Sequence, residues 1–353
     1  MLPYDQIADR ALLADLAARR IDLLVAVTPE RASTAAPLVH ACRAAGVGIG
    51  LWPMMDDRDG RWPSAANARP FIQFCRDLLA SLKAAHAVPD EIAIDLEPPI
   101  NRVRAMLAGS PRALLQLPGR EGMQGIADLV HELRGQSLRV SAAVTPLVAL
   151  PSPLASRGWQ RLLGTPVDGL AFDTINVMAY TSLFEVYSRG LFRRRDARAM
   201  LHTIAATTAR RWGRRAAISL GVVGPGALGD ERAYRTPAEL AEDVALAEAA
   251  GIEEIVLFAL DGLAARPPRE AWLEALCATG DPIEATPTPR SRAALAASSA
   301  VGVIAAGLTA IRQRDRAASV ADDRGEAGRA SRAVKEPSPA STVLRGSDPR
   351  DPA

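Results

Sequence analysis

Lysine is all but missing from this chain. Among 42 basic residues only Lys83 and Lys335 are lysines, and 40 acidic residues bring the formal net charge to +2. Sequence-independent binding of nucleic acid needs a clear basic surplus, so no nucleic-acid partner is expected. Cysteine is scarce as well. Cys42, Cys75 and Cys277 are too few for a disulfide framework and match no metal spacing, and at helical positions they read as small core residues. The histidines His40, His86, His131 and His202 stand singly, so no metal site is predicted from them. A glycine-rich phosphate loop is missing too: GVGIG (46–50) lies inside an apolar run and GPGALG (224–229) opens no helical pattern. No cofactor is therefore expected. The start, MLPYDQIADRALLADLAARR, has neither the basic opening nor the unbroken apolar stretch of a signal peptide. It reads as one amphipathic helix with Ile7, Leu12, Leu13 and Leu16 on its apolar face.

What the chain does have is a rhythm. Short runs rich in Val, Ile and Leu fall at Ile21–Val27, Val47–Pro53, Glu91–Leu96, Leu138–Val144, Asp173–Tyr180, Ala216–Val223 and Glu254–Leu260. Helical Ala/Leu/Arg stretches separate them. Near-continuous apolar strands alternating with helices predict an α/β fold with a parallel sheet covered on both faces. Over about 270 residues that is a (β/α)8 barrel of the TIM type or a doubly wound sheet, and the missing phosphate loop counts against the second. A closed barrel opens on a strand and has eight. This chain opens on a helix and shows seven runs, so the expectation is a barrel over residues 1–281 that lacks its first strand. The first and last runs would then be exposed edges.

Beyond Asp281 the composition changes. Residues 282–292 read as a Pro-containing linker. Ala293–Ile311 carries no charge and has Arg290 and Arg292 before it and Arg312, Arg314 and Arg316 after it. Its length suits a bilayer span, and Ser298, Gly302, Ala306 and Ala310 form a small-residue stripe able to pack helix on helix in lipid. The larger arginine count after the span would put residues 312–353 in the cytoplasm and the barrel outside it. That tail is poor in apolar residues and reads as disordered.

Chemistry in a β/α barrel sits at the C-terminal ends of the strands. The polar residues at those ends are Glu30, Asp56, Asp57, Asp59, Asp95, Glu97, Thr145, Asn176, Tyr180 and Asp261. The informative segment is DEIAIDLEPP (90–99). Residues i and i+2 of a strand share a face, so Ala93, Asp95 and Glu97 point one way and Ile92, Ile94 and Leu96 the other. The apolar set belongs under the helices, which leaves two carboxylates about 7 Å apart at the barrel mouth. Such a pair perturbs its own protonation and suits a general acid beside a charge-stabilising partner. Trp52 and Trp62 flank the acidic loop DDRD (56–59), and an aromatic beside carboxylates suits sugar stacking and hydroxyl recognition.

Asp90-x-x-Ala93-x-Asp95-x-Glu97 resembles the DxxDxDxE strand of the family 18 glycoside hydrolases, the chitinase-like barrels, with Ala93 at the second Asp. DTINVMAY (173–180) is similar to the later strand of that family ending Met-x-Tyr-Asp, matched by Met178, Ala179 and Tyr180, with Thr181 at the Asp. IEEIVLFALDGL (252–263) resembles the last strand, with Phe258 or Leu260 near the place of its usual Trp. In the family these motifs lie on strands four, six and eight; here they lie on the third, fifth and seventh runs, the offset left by a missing first strand. The resemblance implies a carbohydrate substrate. It implies Glu97 as the acid toward the glycosidic oxygen, and Asp95 and Tyr180 as supports of a 2-acetamido group whose carbonyl attacks the anomeric carbon. Asp56, Asp57, Trp62, Asn176, Met178 and Asp261 would line the substrate site. Ala93 removes a carboxylate beneath Asp95, and Thr181 alters the sugar floor. A catalytically silent barrel that binds carbohydrate or protein is the alternative. A barrel acting on a phosphorylated metabolite would need GVVGPGALG (221–229) as its phosphate loop.

Overall fold

The computed structural model describes residues 2–110, 112–113, 120–188, 190–224, 226, 233–278 and 285–310. Each apolar run becomes a strand: β1 Leu23–Val27, β2 Ile49–Pro53, β3 Glu91–Leu96, β4 Arg139–Val144, β5 Thr174–Met178, β6 Ala216–Gly221 and β7 Glu254–Phe258. Between them lie α3 (Ala35–Ala44), α4 (Ala68–Ala84), α5 (Ile100–Leu107), α6 (Arg120–Gly135), α7 (Pro153–Leu163), α8 (Thr181–Tyr187), α9 (Arg194–Trp212) and α10 (Pro237–Ala249). The N-terminal stretch is two helices, α1 (Tyr4–Ile7) and α2 (Arg10–Arg19), where one was expected. Ala8 follows the first, and Asp9 caps the second, accepting from the Leu12 N–H at 2.9 Å. After β7 come α11 (Leu260–Ala265) and α12 (Arg269–Leu276).

The sheet is wholly parallel and its strands lie in chain order from β1 to β7. Strand order that never reverses is the mark of a singly wound sheet, since a doubly wound one doubles back at a switch point. Two contacts prove that the sheet curls. The rings of Trp52 on β2 and Phe258 on β7 meet edge to face at 6.1 Å, whereas a flat sheet would hold strands five positions apart at about 24 Å. At the other end Arg139 on β4 pairs with Glu254 on β7. The described residues therefore form a TIM-like barrel of seven strands. Among the described residues β1 and β7 do not pair, and every residue of β7 is half-buried while β3 and β6 are buried throughout.

Alternation along the strands divides core from lumen. Ile92, Ile94 and Leu96 of β3, Val140 and Val144 of β4, and Ile218 and Leu220 of β6 are buried beneath the helices. The N-terminal end of the lumen is closed by polar side chains. Ser141 bonds Glu91, and Arg139 reaches Glu91 at 3.4 Å, the Thr174 hydroxyl at 2.6 Å and Glu254. Cys42 and Cys75 are core residues as expected; Cys277 is exposed, because it lies one residue past the last helical position of α12.

The C-terminal helix, α13, runs Pro289–Ala310 and is long and apolar enough, by length and composition, to cross a membrane. It begins inside the stretch read as linker, because Thr288 and Ser291 cap it reciprocally. The Ser291 N–H donates to the Thr288 hydroxyl oxygen at 3.1 Å and the Thr288 N–H to the Ser291 hydroxyl oxygen at 3.0 Å. Its small-residue stripe packs on α7. A side chain at Gly158 would meet the Gly302 carbonyl at 1.8 Å, and the Trp159 indole donates to the Ser298 carbonyl at 2.8 Å. The first compact unit ends at Gly307; of the second, Leu308–Ala353, residues 308–310 are described. The tail expected to be disordered lies outside the described residues.

Candidate active site

The end of β3 sets the geometry. The β3 ladder runs Asp95 opposite Ala143 of β4, so the Asp95 side chain has small neighbours and looks into the lumen. Pro98 and Pro99 stop the strand, and Glu97 stays tied to it through its N–H, which donates to the Asp95 carbonyl at 3.1 Å. Asp95 is 2% exposed and its Oδ1 has no hydrogen-bond partner among the described residues. Burial, then the charge of Glu97, raises the Asp95 carboxyl well above the ordinary range. Burial pushes Glu97 up to about 7, and the Arg61 guanidinium draws it back down. Ala93, two residues below Asp95 on the same face, offers nothing to accept or donate, which accounts for the unmet oxygen.

Asn176 of β5 shares the lumen, its amide donating to the Ser219 hydroxyl of β6 at 2.7 Å while its own Oδ1 stays unpartnered. Met178 stands two residues beyond on the same face. Tyr180, just past β5, stacks on Phe258 with ring centroids 5.9 Å apart and planes 18° from parallel. Phe258 in turn meets Trp52, so three aromatic rings line one wall of the mouth. Gly221 makes this possible: a side chain there would sit 2.8 Å from the Phe258 carbonyl and 3.3 Å from the Tyr180 ring.

The acidic loop after β2 is locked and partly neutralised. Asn67 donates to the carbonyls of Asp59 and Trp62, and the Ile100 N–H donates to the Gly60 carbonyl, which fastens this loop to the turn after Glu97. Asp57 pairs with Arg61 at 2.7 Å and Arg104 at 3.4 Å, and the Arg61 hydrogen bond holds its carboxyl below the usual range. Asp56 pairs with Arg58 at 3.1 Å. Trp62 is buried, 4% exposed, under the Arg61 guanidinium. Asp261 lies in the first turn of α11, after β7. The structure thus groups Asp95, Glu97, Asn176, Met178 and Tyr180 at one rim, sets Asp56 and Asp57 among arginines, and places Trp52 rather than Trp62 on the aromatic wall.

Sequence reading missed Arg61 as the cation that acts on Glu97; it sits in a loop with φ +61°, and no motif marks it. It marked Thr181 only as a departure at the Asp of the family motif and did not give its partner. Thr181 is buried and its hydroxyl donates to Asp243 at 2.5 Å. Asp243 also accepts from Tyr234 at 2.7 Å and from Arg194 at 2.8 Å, so Thr181 anchors the start of α8 and with it Tyr180.

No family model matches the chain, and no relative is found among curated proteins. Solved structures similar to it include the PgaB (BpsB) glycoside hydrolase domain from Bordetella bronchiseptica, 13% identical, covering 77% of this chain and 92% of that one at TM-score 0.49. A GH5-4 broad specificity endoglucanase from Clostridium longisporum is 12% identical over 76% and 84% at 0.46. A GH18 chitinase from Cycas revoluta is 11% identical over 75% and 94% at 0.44. With TM-scores below one half these likenesses assign no site, and the barrel reading rests on the strand order and the contacts across the lumen.

Proposed function

We propose that this barrel is a glycosidase, cleaving a β-linked sugar bearing a 2-acetamido group by acid catalysis with substrate assistance. The observation that carries the reading is the closeness of two carboxyls at the end of β3, where the charge of Glu97 acts on the buried Asp95, with an aromatic wall at the same mouth. Glu97 holds a proton up to about neutral pH and gives it to the glycosidic oxygen as the bond to the anomeric carbon breaks. The acetamido carbonyl oxygen bonds that carbon, and the Asp95 Oδ1, which has no hydrogen-bond partner among the described residues, accepts from the acetamido N–H. Tyr180 donates to the same group. Water then opens the ring, returning its proton to Glu97. Asn176 and Met178 would contact the sugar, Trp52 and Phe258 would stack on it, and the region of Asp56, Asp57 and Asp261 would take neighbouring units, with the buried Trp62 packed beneath the loop.

Aryl β-glycosides with and without the 2-acetamido group test this reading. Release of the aryl group from the acetamido sugar alone, lost in Glu97→Gln, is the expected result. Ala93 favours a second reading, a barrel that binds such sugars without cutting them. Sugar binding by the native chain with no turnover at any pH would establish it and overturn the first.

A further inference from the structure

Helices α5, α7 and α13 lie together. The Arg102 guanidinium of α5 donates to the Leu162 carbonyl of α7 at 2.7 Å, and Ala305 of α13 joins Leu150, Trp159, Leu162 and Leu163 in one apolar cluster that Met106 of α5 borders. Two features set this face apart. First, none of the three helices contains an aspartate or glutamate, while they carry Arg102, Arg104, Arg157, Arg161, Arg290 and Arg292. Three of these arginines meet carboxylates of other elements at longer distances, Arg104 with Asp57 at 3.4 Å, Arg157 with Asp168 at 3.8 Å and Arg290 with Asp196 at 3.5 Å. Second, of the seven large apolar side chains exposed within residues 2–307 and described, five stand here: Leu107, Leu154, Val301, Val303 and Ile304. Ile304 is 62% and Leu154 54% exposed, and the side chain of Arg157, one turn after Leu154 on α7, is 65% exposed.

We infer that α5, α7 and α13 form a docking face for an anionic lipid surface, on which the barrel lies without a spanning helix. The reason is the use already made of α13. Its small stripe fits α7 so closely that neither Gly158 nor Gly302 has room for a side chain. A helix crossing the bilayer would leave that seat and bare Trp159, Leu150 and Leu162. Docked, it offers lipid only its outer side, where aliphatic residues enter the acyl boundary and arginines meet the phosphates. A second copy of the chain is a poor occupant, because a two-fold contact would set arginine against arginine. A docked helix has no inner and outer end, so the arginine bias around it sets no orientation. This inference does not depend on the glycosidase reading.

Flotation of the full-length protein with phosphatidylcholine vesicles, with and without phosphatidylglycerol, tests it. Binding is expected only to the anionic vesicles, lost at high salt and extractable by alkaline carbonate. Each of Arg157→Gln and Arg292→Gln should weaken it about fivefold. Val301→Glu with Ile304→Glu should abolish it with helix content unchanged, since both positions face outward. Carbonate-resistant protein would make α13 a spanning helix and overturn the inference. So would equal binding to neutral vesicles, or no vesicle binding at all.

Discussion

Tyr180 and Phe258 stack across the glycine that ends the strand between theirs. Tyr180 follows β5, Phe258 ends β7, and Gly221 ends β6 between them with no side chain to keep the rings apart. Gly221→Val should therefore push the two rings apart and cost about 1 to 3 kcal/mol. Near-ultraviolet circular dichroism and the urea midpoint read the two effects, and KM on an active substrate should rise. Unchanged stability and KM would mean that the wall is not built this way.

Glu97→Gln should lower turnover by roughly 10² to 10⁴ with the fold intact, because the amide has the shape of the acid and no proton to give. Turnover with matched far-ultraviolet spectra decides it; undiminished activity removes Glu97 from the chemistry.

Activity should fall as pH rises through about 7, where Glu97 loses its proton. Stability should follow the same sign. The folded carboxyl is raised above its unfolded value, so the native state holds the extra proton between the two. Its stabilising share is complete below the unfolded value, near 4.5, and is lost as pH climbs through about 7. Glu97→Gln should thus raise stability at pH 8 by on the order of 1 to 3 kcal/mol and leave it unchanged at pH 4. Denaturant melts at the two pH values check this, and a gain at acid pH instead would contradict it.

Arg194→Met should cost about 3 to 5 kcal/mol, since it strands the buried Asp243 carboxylate. Asp243→Asn with Arg194→Met should recover part of that loss. The same single variant should raise KM through Thr181 and Tyr180; thermal melts and kinetics on the pair separate the two effects.

Gly158→Val should lift α13 from α7, because the new side chain would lie 1.8 Å from the Gly302 carbonyl. Limited proteolysis after Arg290 or Arg292 should then cut in the variant long before it cuts the native chain. Equal protection in both would mean that the helix has another seat.

Periodicity and composition determined much of this protein. Seven apolar runs became seven parallel strands, because a β-branched run flanked by helices has few ways to bury both faces. The two-residue period of β3 fixed which side chains share a face, so Asp95 and Glu97 were legible as a pair. Tyr180 was legible only as a polar residue at a strand end and through the resemblance of DTINVMAY to a family motif. What the sequence did not hold was distance. Trp52 and Phe258 lie far apart in the chain, and only the curl of the sheet sets their rings at 6.1 Å. The raised protonation of Glu97 comes from burial, with Arg61 opposing it, and neither burial nor that neighbour follows from local order. Nothing local in the sequence named the partners of Thr181; the fold brings Asp243 and Arg194 to it. The small stripe of α13 named a close-packed helix and left the other helix open. Only the tertiary structure supplied α7, because contact between segments distant in sequence depends on how the whole chain closes.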